Sequence, residues 1–199
     1  SPEGRPPAAR HRDFPLFPFG LIREGQREFM ADCSSVLSEG WHLVACAPTG
    51  IGKTVAALVP AVSWCMDAPA GSGRKVFFLT PKQSQHRIAV DTLKAISALA
   101  PRPLRVVDII AKQSMCPRDF ASEFSAAFSE FCRLEQKTRS CKYFIRDNSR
   151  AKTLAGRKIH HVEELTELCT ALGVCPHQCA TELMKDANVI ICDYNYVFS

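Results

Sequence analysis

The sequence lacks the features that would place it in a membrane or outside the cell. None of its apolar runs approaches the roughly 20 residues needed to cross a bilayer. The opening SPEGRPPAARHRDF is rich in proline and arginine but has no apolar stretch of the kind found in a secretory signal. We therefore expect a soluble protein without a membrane partner, in the cytoplasm or, in a eukaryote, the nucleus, with residues 1–16 as a disordered basic start.

A second feature that is missing is the set of two close cysteine pairs typical of zinc ribbons, although 10 cysteines are present. In a reducing compartment such a number indicates metal ligands, catalysis or small buried side chains rather than disulfides. Five cysteines fall in apolar stretches, where we expect them in the core: Cys33, Cys46, Cys65, Cys169 and Cys192.

Helical and strand-like patterns alternate along the first part of the chain. Helices are expected over 23–40, 54–66 and 84–100, and buried strands over 42–47 (HLVACA), 75–80 and 104–110. This alternation predicts an α/β fold with a parallel sheet and helices on both faces. The pattern stops at about Ala111, and helices at 162–173 and 175–187 precede a last strand at 188–194. We expect 17–110 to form the first part of a motor domain, 111–180 an inserted cysteine-rich domain, and 181–199 the return to the sheet.

The inserted segment carries most of the positive charge. Between Cys132 and His161, nine lysines and arginines face two acids, an excess of +7 in a chain whose net charge is +5. Charge alone does not separate a solvated face from a surface that contacts nucleic-acid phosphates.

The strongest motif is APTGIGKT, which matches the Walker A pattern except for alanine in first place. In that pattern, backbone N–H groups surround the nucleotide phosphates, the lysine reaches the β and γ oxygens, and the threonine hydroxyl binds Mg²⁺. The loop lies between an expected strand and an expected helix, as the motif requires. The sequence therefore predicts a site for ATP and Mg²⁺ with catalytic Lys53 and Thr54, formed by Ala47, Pro48, Thr49, Gly50, Ile51, Gly52, Lys53 and Thr54.

Four cysteines remain outside the sheet pattern, with the spacing C-x15-C-x8-C-x33-C: Cys116, Cys132, Cys141 and Cys175. A group larger than one ion, such as a 4Fe-4S cluster, suits ligands this far apart in sequence. Four unliganded thiols are the alternative, and Cys179 is an alternate for Cys175.

Taken together, these segments resemble the XPD-type iron–sulfur helicases of superfamily two (XPD, DinG and FANCJ among them), close to the archaeal branch. The resemblance runs from about Phe17 to Ser199 and rests on FPFGLIREGQREFM, APTGIGKT, FFLTPKQSQHRIAVDTL, GVCPHQCA and DANVIICDYNYVFS. It implies a RecA-like motor domain, incomplete here, that carries an inserted 4Fe-4S domain. The implied activity is ATP-dependent 5′ to 3′ unwinding of DNA in repair or replication, with single strands and fork junctions as partners.

The resemblance also implies roles for individual residues. Gln26 would read adenine with Arg23 nearby, and Cys116, Cys132, Cys141 and Cys175 would hold the cluster. The implied DNA contacts are Thr80, Gln85, Arg133, Lys137, Arg139 and Lys142. No Walker B acid follows DYNYVFS, so we expect a piece of a longer protein that hydrolyses ATP negligibly by itself.

Two other interpretations stay open from the sequence. The chain could be a non-catalytic nucleic-acid-binding or redox-sensing iron–sulfur module with a vestigial P-loop. A zinc-bound P-loop kinase is disfavoured by the cysteine spacing and by TPKQSQH.

Overall fold

The structure, a computed structural model, describes residues 11–69, 72–119, 121, 127–144 and 147–198. Its helices are α1 Gln26–Glu39, α2 Lys53–Met66, α3 Gln83–Ser97, α4 Phe128–Thr138, α5 Ser149–Ala155, α6 Val162–Ala171, α7 Pro176–Met184 and α8 Asn195–Phe198, and its strands are β1 Val76–Leu79, β2 Val106–Asp108 and β3 Val189–Cys192. No helix in these ranges is long and apolar enough to cross a membrane. The described residues divide into two compact units, those of 1–76 with 91–104 and those of 77–90 with 105–199.

The first unit is built on the packing of α1 against α2. Gly40 ends α1 with φ at 74°, a conformation that favours glycine. At the C-terminal end of α2, Arg102 donates from Nη2 to the carbonyls of Met66 at 2.8 Å and Ala68 at 2.9 Å. The guanidinium therefore satisfies the carbonyl of Met66, which the helix end leaves without an intrahelical partner, and that of Ala68 just beyond the helix.

The second unit contains the sheet, in the order β1-β3-β2. β2 and β3 pair in parallel, with Val106 opposite Val189 and Asp108 opposite Ile191. All four residues of β3 are buried, as expected for the central strand. The α/β class and the parallel pairing predicted from the sequence are confirmed.

The core of the second unit joins the cysteine-rich segment to the sheet. Most of its buried members come from β2, β3, α5, α6 and α7, and include Val107, Ala151, Leu165, Cys179 and Ile190. Because α5, α6 and α7 bury their apolar side chains against the strands, this part of the cysteine-rich segment folds as one body with the sheet.

The strand predicted over 42–47 is wrong. Residues 41–48 form no helix or strand, and the side chains of Leu43 and Val44 are 37% and 99% exposed. A strand needs a neighbour for its backbone N–H and C=O groups, and the sheet of the described residues consists of β1, β3 and β2. Cys46, expected in the core, is consequently exposed, and Cys33 is only partly buried, whereas Cys65, Cys169 and Cys192 are buried as predicted.

Candidate functional site

Two side chains near the start of α1 hydrogen-bond to the backbone of the P-loop, residues 47–54. Gln26 is buried, and its Nε2 donates to the carbonyl of Ile51 at 2.8 Å and to that of Gly52 at 3.4 Å. Its Oε1 accepts from the backbone N–H of Arg23 at 3.1 Å, and the Arg23 guanidinium donates to the carbonyl of Gly50. Both residues thus fix the backbone of the loop.

Lys53, the first residue of α2, bonds to the beginning of the same loop. Its Nζ donates to the carbonyls of Ala47 at 3.1 Å and Pro48 at 2.8 Å, and the side chain is exposed. An ammonium has three donors, so one is left for an anion. Thr54 follows in the first turn of α2, beside the helix N-terminus that favours negative charge.

Two glycines of the loop have positive φ, 88° at Gly50 and 83° at Gly52. At Gly52 a Cβ would also lie 2.7 Å from Nε2 of Gln26, so no other residue fits without displacing that side chain. The predicted nucleotide-binding residues are therefore brought together, and the structure adds the contact between Gln26 and the loop.

The four predicted ligand cysteines lie near one another in the second unit. Burial raises the pKa of the Cys116 thiol, and the charges of Cys132, Cys175 and Cys141 raise it further, against a lowering hydrogen bond from the backbone N–H of Arg118. Although 15, 8 and 33 residues separate the four cysteines in sequence, hydrogen bonds and an ion pair join the segments that carry them.

Specific contacts assemble this neighbourhood. The backbone N–H of Cys175 donates to the carbonyl of Tyr143 at 2.7 Å, which places the start of α7 beside the Cys141 loop. Arg118 forms an ion pair with Glu135, which connects the Cys116 loop to α4, the helix that carries Cys132. All four thiols are partly exposed. Within the described ranges, no three His, Cys, Asp or Glu side chains are gathered closely enough to hold a single metal ion.

Cys179 occupies a different place from Cys175. Its side chain is fully buried in the core, where its thiol is hydrogen-bonded to that of Cys169. Burial also raises the pKa of Cys175, which is opposed by the backbone N–H groups of Gln178 and His177 and by the charge of Lys112. Cys175 therefore sits at the helix start among donors, and Cys179 packs one turn further along.

The residues predicted to contact DNA differ in exposure. Thr80 is buried, its hydroxyl donates to Oε1 of Gln85, and its backbone N–H donates to the carbonyl of Cys192 at 3.1 Å. Gln85 is exposed at the start of α3. Thr80 thus holds Gln85 in place rather than facing solvent itself.

The predicted basic contacts are all at the surface. Arg133 and Lys137 lie on α4, Arg139 ends that helix with φ at 59°, and Lys142 lies over the ring of Tyr143 at 5.1 Å. Exposed aromatic side chains accompany them, with Phe131 41% and Phe144 37% exposed. Positive charge beside exposed rings is the composition of a surface that binds single strands through phosphates and stacked bases.

A buried histidine, which sequence reasoning missed, links these regions of the second unit. His86 Nδ1 is 2.6 Å from Oδ1 of Asp108, and Oδ2 of Asp108 accepts from the backbone N–H of Val162 at 3.1 Å. The other ring nitrogen, Nε2, is 3.6 Å from Oδ1 of Asp193. Burial opposes a charge on His86, but Asp108, and Asp193 with it, raise the pKa of the imidazole. The signal in the sequence was an acid inside the apolar run LRVVDII.

Comparisons with known proteins agree with the P-loop. The DEAD_2 family model matches residues 78–199, and the DEAD/DEAH box helicase model matches residues 23–122. The chain is 22% identical over 223 residues to the regulator of telomere elongation helicase 1 homolog of Drosophila melanogaster, and 24% identical over 229 residues to that of Anopheles gambiae. These alignments cover 92% and 93% of the chain but only 22% of either relative. The chain belongs to the DEAD_2 family and, over its N-terminal half, to the DEAD/DEAH box helicases.

Proposed function

We propose that this chain is the nucleotide-binding part of an ATP-dependent DNA helicase of the XPD type that moves 5′ to 3′. The observation that carries the proposal is the P-loop of 47–54, braced by Arg23 and Gln26, in a chain of a helicase family. The chain spans about a fifth of the length of its relatives, so unwinding belongs to a larger protein of this type. We place it inside the cell.

In this proposal each residue of the P-loop has a task. Backbone N–H groups of 50–54 and the N-terminus of α2 bind the phosphates of ATP, Lys53 neutralises the β and γ oxygens, and Thr54 holds Mg²⁺. Arg23 and Gln26 fix the loop before nucleotide arrives, which reduces the entropy lost on binding. The carboxamide of Gln26 already bonds to Arg23, Ile51 and Gly52. To contact adenine, it must either make an additional hydrogen bond or give up one of these.

The second part of the proposal is a 4Fe-4S cluster in an inserted domain of 111–180, held by Cys116, Cys132, Cys141 and Cys175. Support comes from the chemistry of the donors: four partly exposed thiols on segments joined by the Cys175–Tyr143 hydrogen bond and the Arg118–Glu135 ion pair, with N–H groups directed at Cys116 and Cys175. These N–H groups favour the thiolate, the form that binds iron, against the burial that raises the pKa of both thiols. When bound, the cluster would supply one-electron chemistry and a covalent link between segments distant in sequence.

The third part concerns DNA. We assign the single strand to Gln85, positioned by Thr80, and to the exposed basic side chains of Arg133, Lys137, Arg139 and Lys142. Phosphates bind the cations and bases stack on exposed rings such as Phe131. A fork junction would engage the same surface.

Binding measurements on the chain test the proposal directly. ATP with Mg²⁺ should bind weakly, Lys53→Ala should abolish binding, and turnover should be negligible. An oligothymidylate strand should bind with an affinity that falls steeply from 50 to 200 mM salt, since each neutralised phosphate releases counterions. Iron analysis of protein purified without oxygen should give about four irons per chain.

Each result can refute one part. ATP binding unaffected by Lys53→Ala would remove the motor assignment and favour a non-catalytic nucleic-acid-binding or redox-sensing module. An affinity for DNA that does not change with salt would show that the basic surface is only solvated. Zinc in place of iron would exclude the cluster.

A further inference from the structure

The thiol of Cys132 receives a hydrogen bond from a side chain. Nε2 of Gln136 lies 3.4 Å from Sγ of Cys132, one helical turn away on α4. Residues four apart on a helix face the same direction, so the helix itself holds donor and acceptor together. Gln136 is partly buried, which restricts competition from water for this bond.

Two other thiols of the set accept hydrogen bonds from the backbone instead of from a side chain. Cys116 accepts from the backbone N–H of Arg118, and Cys175 from those of Gln178 and His177. Backbone donors persist when the side chain is replaced. The bond to Cys132 depends on one carboxamide, and a single substitution can remove it.

Among the contacts around Gln136, the bond to Cys132 is the one that depends on its carboxamide. The neighbouring carboxylate of Glu135 is paired with Arg118, so its negative charge is compensated. The backbone carbonyl of Gln136 accepts from the N–H of Arg139 at 3.3 Å, a contact that any residue at this position would provide. The side chain is therefore free to act on the sulfur.

We propose that Gln136 sets the reduction potential of the iron–sulfur group by donating an N–H to the Cys132 sulfur. The inference rests on the proposed cluster. Addition of one electron makes the cluster and its sulfurs more negative, and a hydrogen bond to a sulfur stabilises that charge. Gln136 thus raises the potential and makes the cluster easier to reduce, without acting as a ligand.

The test is a redox titration of the chain, purified without oxygen and followed by visible absorption and electron paramagnetic resonance, with dithionite as the one-electron reductant. Gln136→Leu should shift the midpoint potential to a more negative value at unchanged iron content. Gln136→Glu should shift it further, because an ionised carboxylate cannot donate and adds negative charge. Thr138→Val, on the same helix, removes a hydroxyl that bonds only backbone carbonyls and Ser140, and should leave the potential unchanged.

A second measurement avoids substitution altogether. In protein labelled with ¹⁵N at glutamine side chains, pulsed electron paramagnetic resonance of the reduced cluster should detect a coupled amide nitrogen. An unchanged potential in Gln136→Leu, or no coupled side-chain nitrogen, would overturn the role of Gln136 while leaving the cluster in place. Wild-type protein without iron would overturn the cluster and this inference together.

Discussion

Replacement of Asp108 by alanine should destabilise the second unit strongly. The carboxylate is 2% exposed and holds two partners at once, the ring of His86 and the N–H of Val162 at the start of α6. Alanine would leave Nδ1 of His86 without its carboxylate partner in the core, with only the more distant Asp193 beside the ring, and an unsatisfied N–H at the start of α6.

The magnitude follows from the two groups left behind. Breaking a buried ion pair by removal of one partner costs about 3–5 kcal/mol, and a buried N–H without an acceptor costs about 1–3 kcal/mol, with overlap between the two. We expect a loss of about 4 kcal/mol, a large part of the 5–15 kcal/mol that is typical of a folded domain. Asp193→Ala should cost at most about 1 kcal/mol, because that carboxylate is 35% exposed and lies 3.6 Å from the ring.

The effect should also depend on pH with a defined sign. The pKa of His86 is raised in the folded protein, so its protonated form is bound more tightly there than in the unfolded chain. This contribution is complete below about pH 6.5, the unfolded value, and is lost as the pH rises through the folded pKa. Burial, Asp193 and Asp108 raise the pKa of the adjacent Cys192 to about 11, which keeps that thiol neutral throughout this range.

Urea unfolding followed by circular dichroism at pH 6 and pH 8.5 measures both effects. The contribution of His86 should make the wild type more stable at pH 6 than at pH 8.5, and Asp108→Ala should lose that contribution together with about 4 kcal/mol of its free energy of unfolding. A loss below about 1 kcal/mol, or an unchanged pH dependence in the variant, would refute the assignment of a protonated His86 held by Asp108.

Three further predictions concern other parts of the chain. Gly52→Ala should weaken ATP binding and cost about 1–2 kcal/mol, since φ is 83° and the new Cβ meets Gln26; calorimetry and urea unfolding would measure this. Arg102→Met should cost about 2 kcal/mol and speed amide exchange in the last turn of α2, and unchanged exchange would show that the carbonyl bonds contribute little. Cys175→Ser should lose the brown colour and iron, whereas Cys179→Ser should keep the iron at lower stability; the reverse result would exchange their roles.

The sequence predicted elements whose stability is local or whose burial is complete. Gly40 marked the end of α1, and the apolar run at 189–192 marked β3, because capping and full burial leave a direct signature in residue type. The strand predicted over 42–47 failed because strand formation depends on a partner, which no local pattern contains.

In the cysteine-rich segment, by contrast, the structure contains a helix that the sequence did not predict. Phe128, Phe131 and Leu134 recur at the spacing of a helix, but charged residues interrupt this apolar stripe, and the sequence therefore did not predict α4. In the structure only Phe128 of the three is buried. Among the candidate site residues, motif spacing predicted the P-loop. The bond from Gln136 to Cys132 and the pairing of His86 with Asp108 depend on tertiary positions and could not be predicted from spacing.

The order of the strands has a consequence for synthesis of the protein on the ribosome. β3 lies between β1 and β2 in the sheet but follows both of them in the chain, after the whole of α4 to α7. Until residues 189–192 emerge, β1 and β2 have no shared neighbour, and the apolar faces of α5, α6 and α7 have only part of their core. Closure of the sheet is thus one late, long-range event. A nascent chain paused before Val189 would expose strand edges and thiols together, and this is the stage at which aggregation would compete with folding.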